Sequence, residues 1–180
     1  MNRLTFDELR LQPEDRVLEV GFGGGELLGW ILGWILGATS GQVVGLDVSE
    51  AMVERARRRF SGEGRLRLFQ GSVEAVPLPT ASIDKACSVN NIYFWPDPEA
   101  GMAELARVIR PGGNLAICFE PAEELRKWPG HRFGFRVYSQ DEVTSLMEAA
   151  GFGAIHAAFG TGRKPDRFLL LSGTRLGFNG

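Results

Sequence analysis

The chain reads as a doubly wound α/β domain, a mostly parallel sheet with helices on both faces. Three observations predict this. Strand-like and helix-like segments alternate along most of the 180 residues, the pattern of a parallel sheet covered by crossover helices. The first strand passes through a glycine-rich turn straight into an apolar helix. The last two strand-like segments are joined by a short link, so a closing hairpin places one antiparallel strand in the sheet.

The elements follow in order. "RVLEV" (16–20) is short and β-branched, a buried strand. "QVVGLDV" (42–48) is the second strand, and "SEAMVERARRRF" (49–60) is a helix with a serine cap and Glu50 in its first turn. "RLRLFQ" (65–70) alternates as a third strand and "SIDKACSVN" (82–90) is a fourth. "DPEAGMAELARVIR" (97–110) is amphipathic, with Met102, Leu105, Ala106 and Ile109 on one face, Asp97 as cap and Pro98 at the first position. "PGG" (111–113) ends that helix, and "NLAICFE" (114–120) is the fifth strand. "SQDEVTSLMEAAG" (139–151) carries a capping box, Ser139 with Glu142, and stops at Gly151. "AIHAAFG" (154–160) and "DRFLLLSG" (166–173) form the hairpin across "TGRKP". No linker divides the chain, so 1–180 is expected to be one domain, with a short N-terminal segment (1–14) and an irregular stretch at 121–138. A loop of that length in a compact domain is often functional.

The helix after the glycines is unusual. "ELLGWILGWILGATSG" repeats GWIL, and its uncharged apolar run covers Leu27–Ala38. A membrane span needs about 20 such residues, and the run lacks the basic start and small-residue end of a signal peptide. It is expected to be a buried helix. Glycines at 25, 29, 33 and 37 line one face, and Trp30 and Trp34 lie a turn apart on another. Two readings stand side by side: a bare stripe for close packing, which would offset the helix propensity lost at each glycine, or a tolerated four-residue duplication. Exposed tryptophans would make this face a homodimer surface.

Composition narrows the function. With 20 basic and 22 acidic side chains the net charge is −2, which gives no electrostatic footprint for nucleic acid. The basic cluster Arg55, Arg57, Arg58 and Arg59 falls at a helix end, where it complements the dipole. Cys87 and Cys118 lie in strand-like runs and read as buried thiols of a reducing, cytoplasmic protein. Two histidines without HxxxH or CxxC spacing make no metal site.

Ligands of doubly wound sheets bind beyond the carboxyl ends of the strands, so the chemistry is sought there. At the tip of the first strand, "VLEVGFGGGE" places Gly21, Gly23 and Gly25 in a turn that brings backbone close to a ligand. The turn departs from the dinucleotide pattern GxGxxG because Glu26 stands at the last position. A carboxylate at the helix start repels phosphate and suits a cationic or zwitterionic ligand. Asp47 ends the second strand, 22 residues beyond Gly25, where a carboxylate accepts hydrogen bonds from both ribose hydroxyls. Capping of the next helix is its plainer role. Val48 follows, placed to lie flat against an adenine.

These residues and their order resemble a class I S-adenosylmethionine-dependent methyltransferase of the small-molecule, ubiquinone/menaquinone-pathway type. The resemblance rests on "VLEVGFGGG", "VVGLDVSEAMVERARRR", "GSVEAVPLPTASIDKACSVNNIYFWPDPEAGMAELARVIRPGG" and "YSQDEVTSLMEAAGF". It implies a Rossmann-like sheet of seven strands in the order 3-2-1-4-5-7-6, strand 7 antiparallel. It also implies methyl transfer from S-adenosylmethionine to a small molecule, with S-adenosylhomocysteine as product. In that pattern Glu19 and the backbone at Gly21 and Gly23 hold the methionine part, and Asp47 holds the ribose. Val48 and Met52 flank the adenine, Ser72 and Val73 meet its edge, and Asn90 offers its backbone carbonyl to the amino group. Relatives commonly carry an acid where this chain has Ser72, so its contact is neutral and cofactor affinity is expected to be lower.

A sulfonium methyl is already activated, so such catalysis is mainly in-line positioning and exclusion of water. Aromatic rings steady the cation. "NNIYFW" offers Tyr93 toward the ligand, with Phe94 and Trp95 undecided. His131, in the long loop, is the candidate base, with Tyr138 and Asn91 as alternatives, while His156 lies in a strand. The loop also carries Trp128, Phe133 and Phe135 among basic residues, which fits a flat or anionic acceptor or a self-packed loop equally. A nicotinamide-dependent reductase is disfavoured by Glu26 and by the lack of a Tyr-x-x-x-Lys pair. A nucleic-acid methyltransferase is disfavoured by charge and by the absence of NPPY. A non-catalytic binding protein of the same fold is the alternative.

Overall fold

A computed structural model describes residues 1–36, 41–127, 136–162 and 167–177. Seven strands form one sheet in the order β3-β2-β1-β4-β5-β7-β6. These are β1 (Arg16–Val20), β2 (Gln42–Asp47), β3 (Leu66–Gln70), β4 (Ile83–Val89), β5 (Ile109–Phe119), β6 (Phe152–Thr161) and β7 (Arg167–Arg175). Strands β1 to β5 pair in parallel, and β7 is antiparallel to both β5 and β6. The expected order and the hairpin are both present.

Alternation along β1 divides the core. Leu18 and Val20 face a cluster built with α4 (Pro98–Val108) and α6 (Gln140–Ala149). Val17 faces a second cluster with α1 (Asn2–Leu9), α2 (Glu26–Leu36) and α3 (Glu50–Arg59). The caps read from the sequence are formed. Ser49 accepts from the Met52 amide, Asp97 from Ala100, and Ser139 closes the capping box with Glu142.

Two expectations are corrected. First, β5 does not wait for "PGG": α4 stops at Val108 and β5 starts at once, with Ile109 opposite Ile83. The next pair is Lys85 with Asn114, so Arg110–Gly113 bulge out of register. Gly112 turns at φ 77°, and a Cβ on Gly113 would lie 2.6 Å from the Asp84 carbonyl oxygen. The glycines shape a bulge at the strand start rather than a helix stop.

Second, the GWIL helix is buried on one side only. Leu27, Leu28, Ile31 and Ile35 are fully enclosed, while Trp30 is 40% and Trp34 52% exposed. The bare stripe is used only in its first half. Phe60 lies 3.2 Å and 3.4 Å from where Cβ atoms on Gly25 and Gly29 would sit, whereas Gly33 faces open space. Gly37 lies outside the described residues.

Residues 2–9 form a helix packed on the sheet face and against α2. Phe6 of α1 meets both Trp30 and Trp34 edge-on, each at 6.3 Å between ring centres. At its other end α1 is pinned from the sheet. Lys85 Nζ donates to the Leu9 carbonyl at 2.6 Å and the Arg10 carbonyl at 2.8 Å, with Asp15 at 3.6 Å. A cation at a helix carboxyl end satisfies orphan carbonyls and the dipole together. Lys85→Met keeps the stem and removes these bonds. It is expected to cost about 1–3 kcal/mol, read by urea denaturation, with faster amide hydrogen exchange confined to residues 2–9.

Candidate active site

Strands β1, β2, β3 and β4 bring their carboxyl ends to one edge of the sheet, where the chain crosses from each strand into a turn or helix. The first crossing is the glycine turn. Gly21 has φ 71° and Gly23 φ 47°, left-handed conformations that side chains rarely adopt. The Gly21 amide donates to the Leu46 carbonyl at 2.7 Å, tying the turn to β2.

Asp47 completes that tie. Its Oδ2 accepts from the Gly23 amide at 2.8 Å and its Oδ1 from the Ser49 amide at 2.9 Å. The carboxylate is 7% exposed, and each oxygen keeps a further lone-pair site open for a ligand donor. The two readings of this residue, helix start and ligand acceptor, are therefore compatible. From the other side, Arg59 donates to the Gly24 carbonyl at 2.9 Å and lies over the Phe60 ring. The basic cluster thus contributes one brace to the turn, while Arg57 and Arg58 pair with Glu54.

Glu19, one strand position from the turn, is buried. Its Oε2 has no hydrogen-bond partner among the described residues. Burial, and then the neighbouring Asp47 charge, push its carboxyl up to about 8. The Cys87 thiol beside it is pushed up by burial and by Glu19. Cys87 and Cys118 are both free and buried, as expected.

Beyond the turn lies an open cleft. Gly21, Asp47, Val48, Ser72 and Val73 line it, together with Asn91, Phe94 and Trp95. Val48 is exposed at its lip. Ser72 caps a 3-10 turn over Val73–Ala75, and its hydroxyl lies 3.2 Å from Glu74 Oε2. The hydroxyl proton is thereby committed to Glu74, whose other oxygen accepts from the Asp97 amide at 2.6 Å. Met52 is partly buried against the core cluster under α2 and is not among the residues lining the cleft. Asn90 is exposed at the tip of β4 with φ 54°, its amide on the Cys118 carbonyl, and it too is outside the lining.

The aromatic triplet is arranged differently from expectation. Tyr93 does not face the cleft. It is 4% exposed, its hydroxyl accepts from the Glu120 amide and donates to the Glu120 carbonyl, and burial raises its phenol further above the ordinary range. Phe94 takes the cleft position instead. The reason is a 3-10 turn over Ile92–Phe94. At three residues per turn, positions i and i+3 eclipse, so Asn91 and Phe94 share the cleft side and Tyr93 turns inward. Reading "NNIYFW" with that period would have found both. Tyr138 is buried beside α6, and His156 is exposed on β6. His131, Trp128, Phe133 and Phe135 lie outside the described residues. No group of three or more potential metal ligands occurs among the described residues.

A proton sits more tightly on Glu19 in the folded chain, at about 8 against the ordinary 4.5. Its contribution to stability is complete below the lower value and lost as pH rises through the upper one. Wild-type stability should fall relative to Glu19→Gln by roughly 1.4 kcal/mol per pH unit at most across that window. Urea denaturation of both proteins at pH 5, 6.5 and 8 checks this.

The comparisons with known proteins agree with this arrangement. A methyltransferase-domain family model matches residues 18–117, more than half of the chain. An uncharacterized methyltransferase of Bacillus subtilis, YdaC, is 40% identical over 123 residues, 68% of this chain and 66% of that protein. A demethylmenaquinone methyltransferase of Symbiobacterium thermophilum is 31% identical over 137 residues, 73% of this chain and 51% of that one. The solved structure of an S-adenosylmethionine-dependent methyltransferase from Aquifex aeolicus superimposes with a TM-score of 0.80 at 25% identity, covering 97% of this chain and 89% of that one. The chain spans between about a third and two thirds of the length of the curated relatives first matched. With the sheet order, the glycine turn and the acidic tip of β2 in place, the chain belongs to the class I S-adenosylmethionine-dependent methyltransferases.

Proposed function

We propose that this chain transfers the methyl group of S-adenosylmethionine to an oxygen, nitrogen or carbon atom of a small-molecule acceptor, releasing S-adenosylhomocysteine. The observation that carries the reading is the pairing of a buried, unpartnered Glu19 oxygen with the left-handed glycine turn beside it. A cationic ammonium is the group that would relieve that carboxyl, and a bare backbone turn leaves room for it. The residues present therefore fit the cofactor.

In this reading Glu19 and the backbone at Gly21, Gly23 and Gly25 would hold the methionine part. The open lone pairs of Asp47 would take the ribose hydroxyls. Val48, Val73 and Phe94 would enclose the adenine with apolar surface, with Ser72 at its edge; Met52 on α3 would flank the adenine, and Asn90 at the tip of β4 would offer its carbonyl to the cofactor's amino group. When bound, the cofactor supplies an activated sulfonium methyl. The chain's part is to orient the acceptor in line and keep water out. Tyr93 serves by fixing the end of β5, and His131 is the proposed base where an acceptor must lose a proton.

Support for a small acceptor comes from the relative named for demethylmenaquinone and from the net charge of −2. Among the described residues no helix is long and apolar enough to cross a membrane, and the free buried thiols suit a cytoplasmic setting. The exposed Trp30 and Trp34 support a homodimer through α2.

Two measurements test this. Calorimetric titration with S-adenosylmethionine should give micromolar binding, with none for NADH. Asp47→Ala should abolish it while cooperative melting is retained. No binding by folded wild type would leave the non-catalytic reading. For the dimer, sizing by light scattering should give twice the chain mass, reduced to one by the Trp30→Ala, Trp34→Ala double change.

A further inference from the structure

Asn91, read from the sequence only as an alternative base, lines the cleft with a carboxamide. Its carboxamide lies flat against the Cα of Gly21. A Cβ at that position would sit 2.2 Å from both Asn91 Cγ and Nδ2. The amide's orientation is fixed from outside. Trp95 Nε1 donates to Asn91 Oδ1 at 2.7 Å, and an indole N–H only donates, so it must face the oxygen. The two Nδ2 protons are thereby turned to the remaining side of the group, and none of them has an acceptor among the described residues. The Phe94 amide holds the Asn91 carbonyl at 3.0 Å, so the backbone beneath the side chain is fixed as well.

The charges around this donor matter. Asp47 and Glu19 flank the glycine turn and both are carboxyl groups. Once an ammonium has taken the place of the Glu19 proton, the two favour a ligand's cationic and hydroxyl groups and disfavour an anionic oxygen. A ligand that is zwitterionic needs one neutral or positive donor placed apart from them, and Asn91 Nδ2 is such a donor in the lining of the cleft. We propose that Asn91 binds the α-carboxylate of the cofactor's amino-acid end through Nδ2, and that Trp95 is the positioning residue that aims it. This rests on the functional reading above. It divides the amino-acid end between two groups: Glu19 for the ammonium and Asn91 for the carboxylate.

The test separates this contact from a merely structural one. Asn91→Asp keeps an oxygen for Trp95 and replaces only the donor, so the turn is retained. Binding is measured by calorimetry with S-adenosylhomocysteine, which carries the amino-acid end, and with 5′-methylthioadenosine, which lacks it. The variant should bind S-adenosylhomocysteine about 10- to 100-fold more weakly, as expected for a charge-assisted hydrogen bond turned repulsive. Its affinity for 5′-methylthioadenosine should stay within about threefold, the scatter expected where no contact is lost. Trp95→Phe, which frees the amide to rotate, should weaken S-adenosylhomocysteine alone by a smaller factor. If Asn91→Asp leaves S-adenosylhomocysteine unchanged, or weakens both ligands equally, the proposal is overturned while the functional reading stands. If wild type binds neither ligand, the functional reading falls with it.

Discussion

The site depends on one carboxylate. Asp47 holds the Gly23 amide with one oxygen and the Ser49 amide with the other, and so joins the turns that leave β1 and β2. Neither turn is regular structure, and each has backbone donors that would otherwise face water at the mouth of a cleft. With both bonds made, the two neighbouring strands end in one rigid lip. The register that brings Val20 beside Leu46 and Phe69 beside Leu46 sets the height of that lip. Helices α2 and α3 then leave in fixed directions, and Phe60 at the end of α3 closes over Gly25 and Gly29.

That arrangement brings two carboxyl groups together. Glu19 and Asp47 are both enclosed, and burial together with the Asp47 charge favours the protonated form of Glu19, whose Oε2 has no hydrogen-bond partner among the described residues. Arg59 is near, but it binds a carbonyl of the turn and stacks on Phe60. The strain is electrostatic and local, which is the usual condition of a site built for a ligand of opposite charge.

Most of the fold was legible because periodicity and caps agree with it. Asp97 with Pro98, and Ser139 with Glu142, announce their helices locally. The alternation of elements fixes the sheet class. The β5 bulge was not legible, since proline and glycines after a helix read equally well as its stop. Nor was the one-sided burial of α2, since its outer tryptophans are as apolar as its inner leucines. At the site, Asp47 and the glycine turn stood out because strand-tip position and residue type coincide. Tyr93 and Phe94 were exchanged because three aromatic residues in succession carry no phase; only the 3-10 turn assigns their faces. Arg107 shows the same limit. It donates to the carbonyls of Val76 and Leu78 and so shapes the loop before β4, but in the sequence it is one more charge on an amphipathic helix.

The inward turn of Tyr93 has a further consequence. Its hydroxyl grips both backbone groups of Glu120, its own carbonyl accepts from the Arg136 amide, and the Ala122 amide bonds the Tyr138 carbonyl. Tyr93, Glu120, Ala122, Arg136 and Tyr138 are thereby tied into one backbone junction, and none of them lines the cleft. One 3-10 turn therefore serves two sides of the molecule: Asn91 and Phe94 face the cleft, and Tyr93 between them clamps the end of β5.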